Sequence, residues 1–200
     1  MRHSLLGLLT VVAIAGLLIT TGCERASTLR VASINNGNTL RADIGDFYRY
    51  FDTVDSEWVT IYQIAGDSVE VVLQYVEIGA GLPTWTPYEA IINKATIKYK
   101  SADPESQYEP SVIPMTQYVM ADQTNKKTTK FYMSAVTATW KQTNFGDAVT
   151  EPPDYDILDI VKATFEFSGW DSVALRDVKA TGDLQIEFGN FYDDISSFGK

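Results

Sequence analysis

Histidine and cysteine, which carry much of the nucleophilic and metal chemistry of proteins, each occur once in this chain. They are His3 and Cys23, and both lie within the first 23 of 200 residues. The rest of the chain therefore has no Ser-His-Asp or Cys-His catalysis, no histidine proton shuttle and no His/Cys site for zinc or haem. The chemistry that remains is that of carboxylates, lysine, tyrosine and hydroxyls, and calcium binding through oxygen ligands.

Three aspartates that follow Pro152-Pro153 are weak calcium candidates: Asp154, Asp156 and Asp159. Their order departs from the EF-hand loop, because Leu158 stands where an oxygen ligand is required. Asx turns at the start of a strand explain these residues as well, and we favour that interpretation. We predict no metal and no other cofactor. The same interpretation covers the remaining grouped aspartates, which are Asp43, Asp46, Asp52, Asp55, Asp193 and Asp194.

Paired carboxylates are also the machinery of glycoside hydrolysis, in which the separation of the two groups decides the stereochemical outcome. The sequence does not select a pair, and no nucleophile motif accompanies one. We therefore predict that the protein is not an enzyme. The alternative is a carboxylate-based glycoside hydrolase that acts on envelope or extracellular polysaccharide. A deep acidic cleft with two facing carboxylates would favour the hydrolase, and a flat aromatic face would favour a binding module.

Trp85 is the aromatic residue that most suggests a ligand contact. It lies in Gly81-Leu82-Pro83-Thr84-Trp85-Thr86-Pro87, where turn residues predict a loop in which an indole is hard to bury fully. Exposed aromatic rings hold sugars or partner proteins in many binding modules. The competing interpretation is that Trp85 folds back over the edge of the domain. The other tryptophans, Trp58, Trp140 and Trp170, lie in or beside predicted strands, where we expect core or edge packing.

The elements that must position these residues are predicted to be strands, because apolar and polar residues alternate with a period of two. The inward set of one strand is Ala163, Phe165 and Phe167, and Ile91 is grouped with Ala95 on the inner face of another. One dry and one wet face per strand is typical of antiparallel sheets packed on a single core. The predicted fold class is an all-β, antiparallel β-sandwich of immunoglobulin-like or jelly-roll type, with a closed barrel as the alternative. The strands are expected at about 28 to 34, 57 to 64, 69 to 75, 91 to 100, 113 to 120, 129 to 140, 162 to 167 and 178 to 188.

The segments between the predicted strands are interpreted as loops of one domain and not as linkers. Turn-forming residues are frequent in residues 79 to 88, 101 to 112 and 142 to 156. A short helix is expected within residues 38 to 52, from Leu40, Ile44, Phe47 and Tyr48.

The first 22 residues have the pattern of a secretion signal. Arg2 precedes an uncharged run from Leu5 to Ile19, and this order of a charged region before an apolar region is typical of signal peptides. The run has about 15 residues, shorter than the roughly 20 that a helix needs to cross a bilayer, so a permanent span is the weaker interpretation.

The end of this segment, Leu18-Ile19-Thr20-Thr21-Gly22-Cys23, resembles the lipobox of bacterial lipoproteins. The resemblance implies cleavage after Gly22 and attachment of a diacylglyceryl group to Cys23. The sequence departs from the usual pattern at Thr20, where the family has leucine. In Gram-negative lipoproteins an aspartate after the cysteine commonly retains the protein at the inner membrane. Glu24 at that position therefore favours the outer membrane, facing the periplasm or the cell surface.

The predicted domains are the signal peptide (1–22), a lipidated anchor and short tether (23–29) and a single β domain (30–200). The whole chain has a formal charge of −10, and loss of Arg2 with the signal makes it −11. An acidic surface disfavours nucleic acid and anionic lipid headgroups as partners. We therefore expect acyl chains on Cys23 to make the membrane contact. The predicted function is that of a lipid-anchored module of the cell envelope with a binding or structural role, and its expected partner is an envelope protein or glycan.

Acylation of Cys23 can be tested directly. Expressed in a bacterium supplied with labelled palmitate, the protein should carry the label, because Gly22-Cys23 after an uncharged apolar run implies acylation of Cys23. An anchor of two or more chains would make the attachment stable, since one chain alone holds only reversibly. Cys23→Ala should abolish the label and leave unprocessed precursor on a gel. Label on the Ala variant, or none on the parent, would contradict the lipoprotein assignment.

Overall fold

The computed structural model describes residues 26–78, 89–122, 127–146, 157–173 and 175–191. Nearly all of its regular structure is strand. The elements are β1 (Ala26–Ile34), β2 (Leu40–Asp43), β3 (Asp46–Asp52), β4 (Glu57–Gln63), β5 (Asp67–Ile78), β6 (Glu89–Ser101), β7 (Ser111–Asp122), β8 (Thr129–Val136), helix α1 (Ala138–Phe145), β9 (Ile157–Asp171) and β10 (Asp177–Gly189). A 3-10 turn, Asn35–Gly37, follows β1.

Eight of these strands form one curled sheet in the order β1-β5-β7-β6-β9-β10-β2, in which β8 also pairs with β5. The pairs β5/β7 and β10/β2 are parallel, and the other pairs are antiparallel. The curl brings β10 across the concave face onto β1. A Cβ placed on Gly182 of β10 would lie 2.8 Å from Val31 Cγ1 and 3.0 Å from Ile34 Cδ1. Glycine at this position allows the two strands to approach closely.

The core lies inside this half-barrel and is built from the inward side chains of every second residue. Phe165 and Phe167 of β9 and Leu184, Ile186 and Phe188 of β10 are all buried. Phe165 and Phe167 are residues that the period-two pattern assigned to the inner face, and the same alternation continues in β10. The predicted all-β, sandwich-like class is confirmed, in the form of a single curled sheet that also contains parallel pairs.

The inner-face assignment at the start of β6 was wrong. The register of β6 against both neighbours shifts between Ile92 and Lys94, which marks a β-bulge. The extra residue reverses the alternation, so Ile92 is fully buried while Ile91 is only partly buried on the outer face. A simple alternation cannot anticipate the bulge, because it assumes an unbroken register.

The predicted helix in residues 38 to 52 was also wrong, because this segment forms β2 and β3. Residues 40 to 43 pair in parallel with 186 to 189 of β10, and 46 to 52 pair with 57 to 63 of β4. Strand pairing contributed by distant residues overrides a weak local helical pattern. In addition, residues 26 to 29, assigned to the tether, lie in β1.

The one helix among the described residues follows β8, where a continuing strand had been expected up to residue 140. Thr137 ends the strand and caps α1, since its hydroxyl accepts a hydrogen bond from Trp140 N at 3.1 Å. Trp140 is therefore helical and not in a strand. Its buried indole stacks on Phe188 with ring centroids 5.3 Å apart, and its Nε1 donates to Glu109 O at 3.0 Å. The helix closes one end of the half-barrel.

Lys141 of α1 ties this closed end together. The side chain is only 1% exposed, and its Nζ lies 2.7 Å from Asp67 Oδ2 at the start of β5. It also donates to the backbone carbonyl of Asp43 at the end of β2. The hairpin of β3 and β4 leaves the main sheet after Asp43 and returns before Asp67. One buried ammonium group thus holds both sides of the hairpin base.

Candidate functional site

The outer face of the sheet carries a row of large apolar side chains across β7, β6 and β9. Tyr118, Ile91 and Trp170 lie directly opposite one another in the strand register. Tyr118 is 53% exposed and Trp170 is 39% exposed. Neighbouring strands are about 4.8 Å apart, so the backbones of Tyr118 and Trp170 lie roughly 10 Å apart across the sheet. We call these three residues the aromatic row.

A second row runs beside the first and is polar. Lys94 of β6 and Lys179 of β10 both lie opposite Ser168 of β9 in the register. Both lysines are exposed, and neither forms an ion pair with another described residue. Asp177 lies opposite Trp170 and is the one carboxylate among the described residues that line this region. A shallow groove of about 470 Å³, the Trp170 groove, lies beside the Trp170 end of the aromatic row and is lined by Asn93, Lys94, Val112, Pro114, Ser168, Gly169, Trp170, Asp177 and Lys179.

The floor of the groove depends on a glycine and on the bulge in β6. A Cβ on Gly169 would lie 1.9 Å from the carbonyl oxygen of Ile91, a distance no side chain can accept. The bulge between Ile92 and Lys94 faces this glycine and turns Ile91 outward. The same two features therefore create the groove and complete the aromatic row. Bulges are frequent beside binding sites, where they redirect a side chain.

This arrangement is suited to a ligand with one apolar face and a polar edge. The indole of Trp170 offers a flat apolar surface, and Asn93, Ser168 and the lysines offer hydrogen bonds along its border. A saccharide ring has this character, since its C–H face is apolar and its hydroxyls require partners. The polar side chains of the lining can fix the orientation of such a ligand.

A second groove of about 510 Å³ lies further along the outer face of β6, β9 and β10. Its single acidic residue is Asp183, which accepts from Thr164 Oγ1 at 2.7 Å and lies 2.7 Å from Lys162 Nζ. The hydrogen bond from Lys162 and that from Thr164 lower the pKa of Asp183 below its ordinary value. A carboxyl group held ionised in this way is unsuited to the role of general acid.

A buried polar cluster joins the beginning of β1 to the β9–β10 turn. Ser27 Oγ lies 2.7 Å from the Tyr75 hydroxyl, and both groups donate to Asp171 Oδ2. Arg176 donates to the carbonyl oxygen of Ser27 at 2.7 Å and also to its hydroxyl. Burial, and then the hydrogen bond to Asp171, raise the pKa of Tyr75. The cluster fixes the first described strand to the turn beside Trp170.

Asp159, one of the three calcium candidates, is engaged in a different way. Its Oδ1 accepts from Ser101 Oγ at 2.8 Å and its Oδ2 accepts from the Tyr108 hydroxyl at 2.6 Å. These bonds fasten the loop after β6 to β9. In the described part of the chain, no three His, Cys, Asp or Glu side chains gather in a way that could hold a metal ion.

The other predicted site residues fall outside the described ranges. Gly22, Cys23, Trp85, Asp154 and Asp156 belong to this group, as do Asp193 and Asp194. Two of the remaining aspartates form the turns expected of them: Asp43 Oδ1 accepts from Gly45 N at 3.2 Å, and Asp52 Oδ1 accepts from Val54 N at 2.8 Å. No helix in the described ranges is long and apolar enough to cross a bilayer.

The Trp170 groove was missed from the sequence, where Trp170 was assigned to packing. A signal was present in Ser168-Gly169-Trp170, since a glycine inside a strand marks a bulge or a close backbone approach. Comparisons with known proteins add no assignment. No family model matches the sequence, and neither a curated protein nor a solved structure matches it.

The Tyr108–Asp159 contact predicts a specific response to alkaline pH. Burial of the phenol, and then its hydrogen bond to Asp159, raise the pKa of Tyr108 above its ordinary value of 10.0. A raised pKa in the folded state gives stabilisation that is complete below the unfolded pKa and is lost as pH rises through the folded one. Urea unfolding of the parent and of Tyr108→Phe should therefore show the parent's advantage at pH 7 shrinking above pH 10. An advantage that stays constant to pH 11.5 would contradict this assignment.

Proposed function

We propose that the chain is a lipoprotein of the bacterial cell envelope, held by acyl chains on Cys23, whose β domain binds a saccharide without chemically changing it. The binding surface is the Trp170 groove together with the aromatic row. The observation that carries the proposal is the exposed indole of Trp170, which lies in register with Tyr118 and is bordered by two lysines that pair with no acidic group of the described residues.

The charge of the groove favours saccharides that carry acidic groups. Among the described residues that line the groove, two are basic, Lys94 and Lys179, and one is acidic, Asp177. The groove therefore has a local excess of positive charge in a chain of formal charge −10. Exposed lysines attract carboxylate or phosphate groups over a range of about 10 Å at moderate salt. The surrounding acidic surface repels such a ligand elsewhere. Charge therefore directs an acidic saccharide to this groove.

The position of the groove agrees with attachment at Cys23. Ala26, the first residue of β1, lies three residues after Cys23, a separation that spans about 10 Å at most. Ser27 is bonded to Asp171, the neighbour of Trp170. An anchored domain would therefore hold the groove at its membrane-proximal end. The saccharides within reach are those at the membrane surface.

The alternative of a carboxylate-based hydrolase has less support from the described residues. Hydrolysis needs two carboxyl groups about 5 to 10 Å apart across the bond, one of them with a raised pKa. The Trp170 groove has one carboxylate in its lining, and the second groove also has one. In the second groove, Asp183 has a lowered pKa. Neither groove has the pair that the reaction requires.

Trp170→Ala should weaken saccharide binding by about 1 to 3 kcal/mol, because it removes the flat apolar surface at the centre of the site. The loss corresponds to roughly 5- to 150-fold in Kd. The measurement is calorimetric titration of the purified protein with muropeptides, lipopolysaccharide core oligosaccharides, and neutral and acidic exopolysaccharide oligomers. Lys94→Gln should weaken binding of the acidic oligomers and leave neutral ones unaffected.

Tyr132→Ala is the matched control, because Tyr132 is an exposed aromatic on β8 outside the groove. It should leave all affinities unchanged. Failure of the parent to bind any of these saccharides, or an equal loss in Tyr132→Ala and Trp170→Ala, would reject the proposed site. Release of reducing ends from a bound oligomer would establish the hydrolase instead.

A further inference from the structure

The hairpin of β3 and β4 exposes large apolar side chains to solvent. Trp58 is 59% exposed and Val54, at the tip, is 87% exposed. Tyr50 and Phe51 are also exposed. None of these four residues belongs to the core or packs against it. We call residues 46–63 the aromatic hairpin.

The aromatic hairpin is a defined surface in spite of its exposure. Phe51 lies opposite Trp58 in the register, and their rings meet edge to face with centroids 5.4 Å apart. Its two strands pair only with each other, and a lone two-stranded hairpin is marginally stable in water. The Lys141 contacts to Asp67 and to the carbonyl of Asp43 fix its base. The protein therefore holds in place a pair of rings that its own core does not use.

The position of the base of the aromatic hairpin argues against the anchoring membrane as its contact. The hairpin leaves the sheet after Ile44, whose amide donates to Gly189 O at the end of β10. The beginning of β1 lies at the opposite end of β10, where Arg176 contacts Ser27. The hairpin is thus at the far end of the sheet from the residues that lead back to Cys23. The inference that the hairpin lies away from the membrane rests on the proposed anchor at Cys23. The charge of the hairpin does not depend on that anchor.

The charge of the aromatic hairpin selects among the remaining occupants. Between residues 46 and 63 it has four acidic residues, Asp46, Asp52, Asp55 and Glu57, against one base, Arg49. An excess of three negative charges in 18 residues repels a second copy of the same hairpin and repels anionic lipid. It is complementary to a basic protein surface, and charge complementarity of this kind steers association.

We propose that the aromatic hairpin is a docking element for a different protein, one that presents a basic surface around an apolar pocket. Trp58 and Phe51 fill the pocket, since tryptophan is among the residues that most often dominate an interface. The acidic residues beside them pair with the basic border. The domain then binds saccharide at one end and a protein at the other.

The test is photo-crosslinking of the full chain in cells that express it naturally. A benzophenone amino acid replaces Val54 at the hairpin tip, and the same replacement of Tyr132 on β8 is the control. We expect an adduct with another protein from position 54 and none from position 132. Trp58→Ala and Glu57→Lys are each introduced separately into the protein that carries the benzophenone amino acid at position 54. Each should reduce the yield of adduct at least tenfold, because the first removes a dominant contact and the second reverses a complementary charge.

The fold is checked in each variant by thermal melting, which should remain unchanged because Val54, Glu57 and Trp58 are exposed side chains outside the core. An adduct with a protein that survives Glu57→Lys would overturn the proposed charge complementarity. An adduct of twice the chain's mass, an adduct with lipid or glycan, or no adduct would overturn the docking proposal. The label on Cys23 is measured in the same cells. Loss of that label with the adduct retained would reject the anchor and leave the docking element standing.

Discussion

The buried ammonium group of Lys141 is the constraint on which the closed end of the domain depends. A charge that is 1% exposed is tolerated only when it is paired, and its partners come from two distant strands, β5 and β2. Removing the Asp67 carboxylate would leave that charge unpaired, at a cost of about 3 to 5 kcal/mol, a large part of the 5 to 15 kcal/mol that stabilises a typical domain. The ion pair therefore fixes where α1, β2 and β5 meet.

The position of α1 decides which surfaces remain for binding. With Lys141 held, the adjacent Trp140 packs between Tyr99 and Phe188, and Phe145 completes this aromatic cluster. Side chains therefore fill this part of the concave side, where a half-barrel would otherwise offer a ligand cavity. The exposed aromatic rings lie elsewhere, on the convex face and on the hairpin. The same ion pair fixes the hairpin base, so it connects the closed interior to the outward-facing surfaces.

Sequence patterning was sufficient for the fold class and for most strands, because alternation reports directly which face is buried. It failed where an interaction is non-local. The bulge after Ile92 changes which residues face outward at the start of β6. The pairing of residues 40 to 43 with β10 gives a strand where a helix was expected. The sequence also failed to predict the binding site, for the same reason. Trp170 and Tyr118 are 52 residues apart in the chain, and only the sheet register through Ile91 brings them into one row. Trp85, which was predicted from the sequence as a ligand contact, lies outside the described residues.

We propose that the ligand binds on the convex face and not inside the half-barrel. Backbone amide chemical shifts of the protein, recorded during titration with an acidic oligosaccharide, test it most directly. Shifts that change at Asn93, Lys94, Ser168, Trp170 and Lys179 while those of Tyr99, Trp140 and Phe188 stay constant are the predicted result. Changes centred on the interior residues, or no changes with any saccharide, would contradict it.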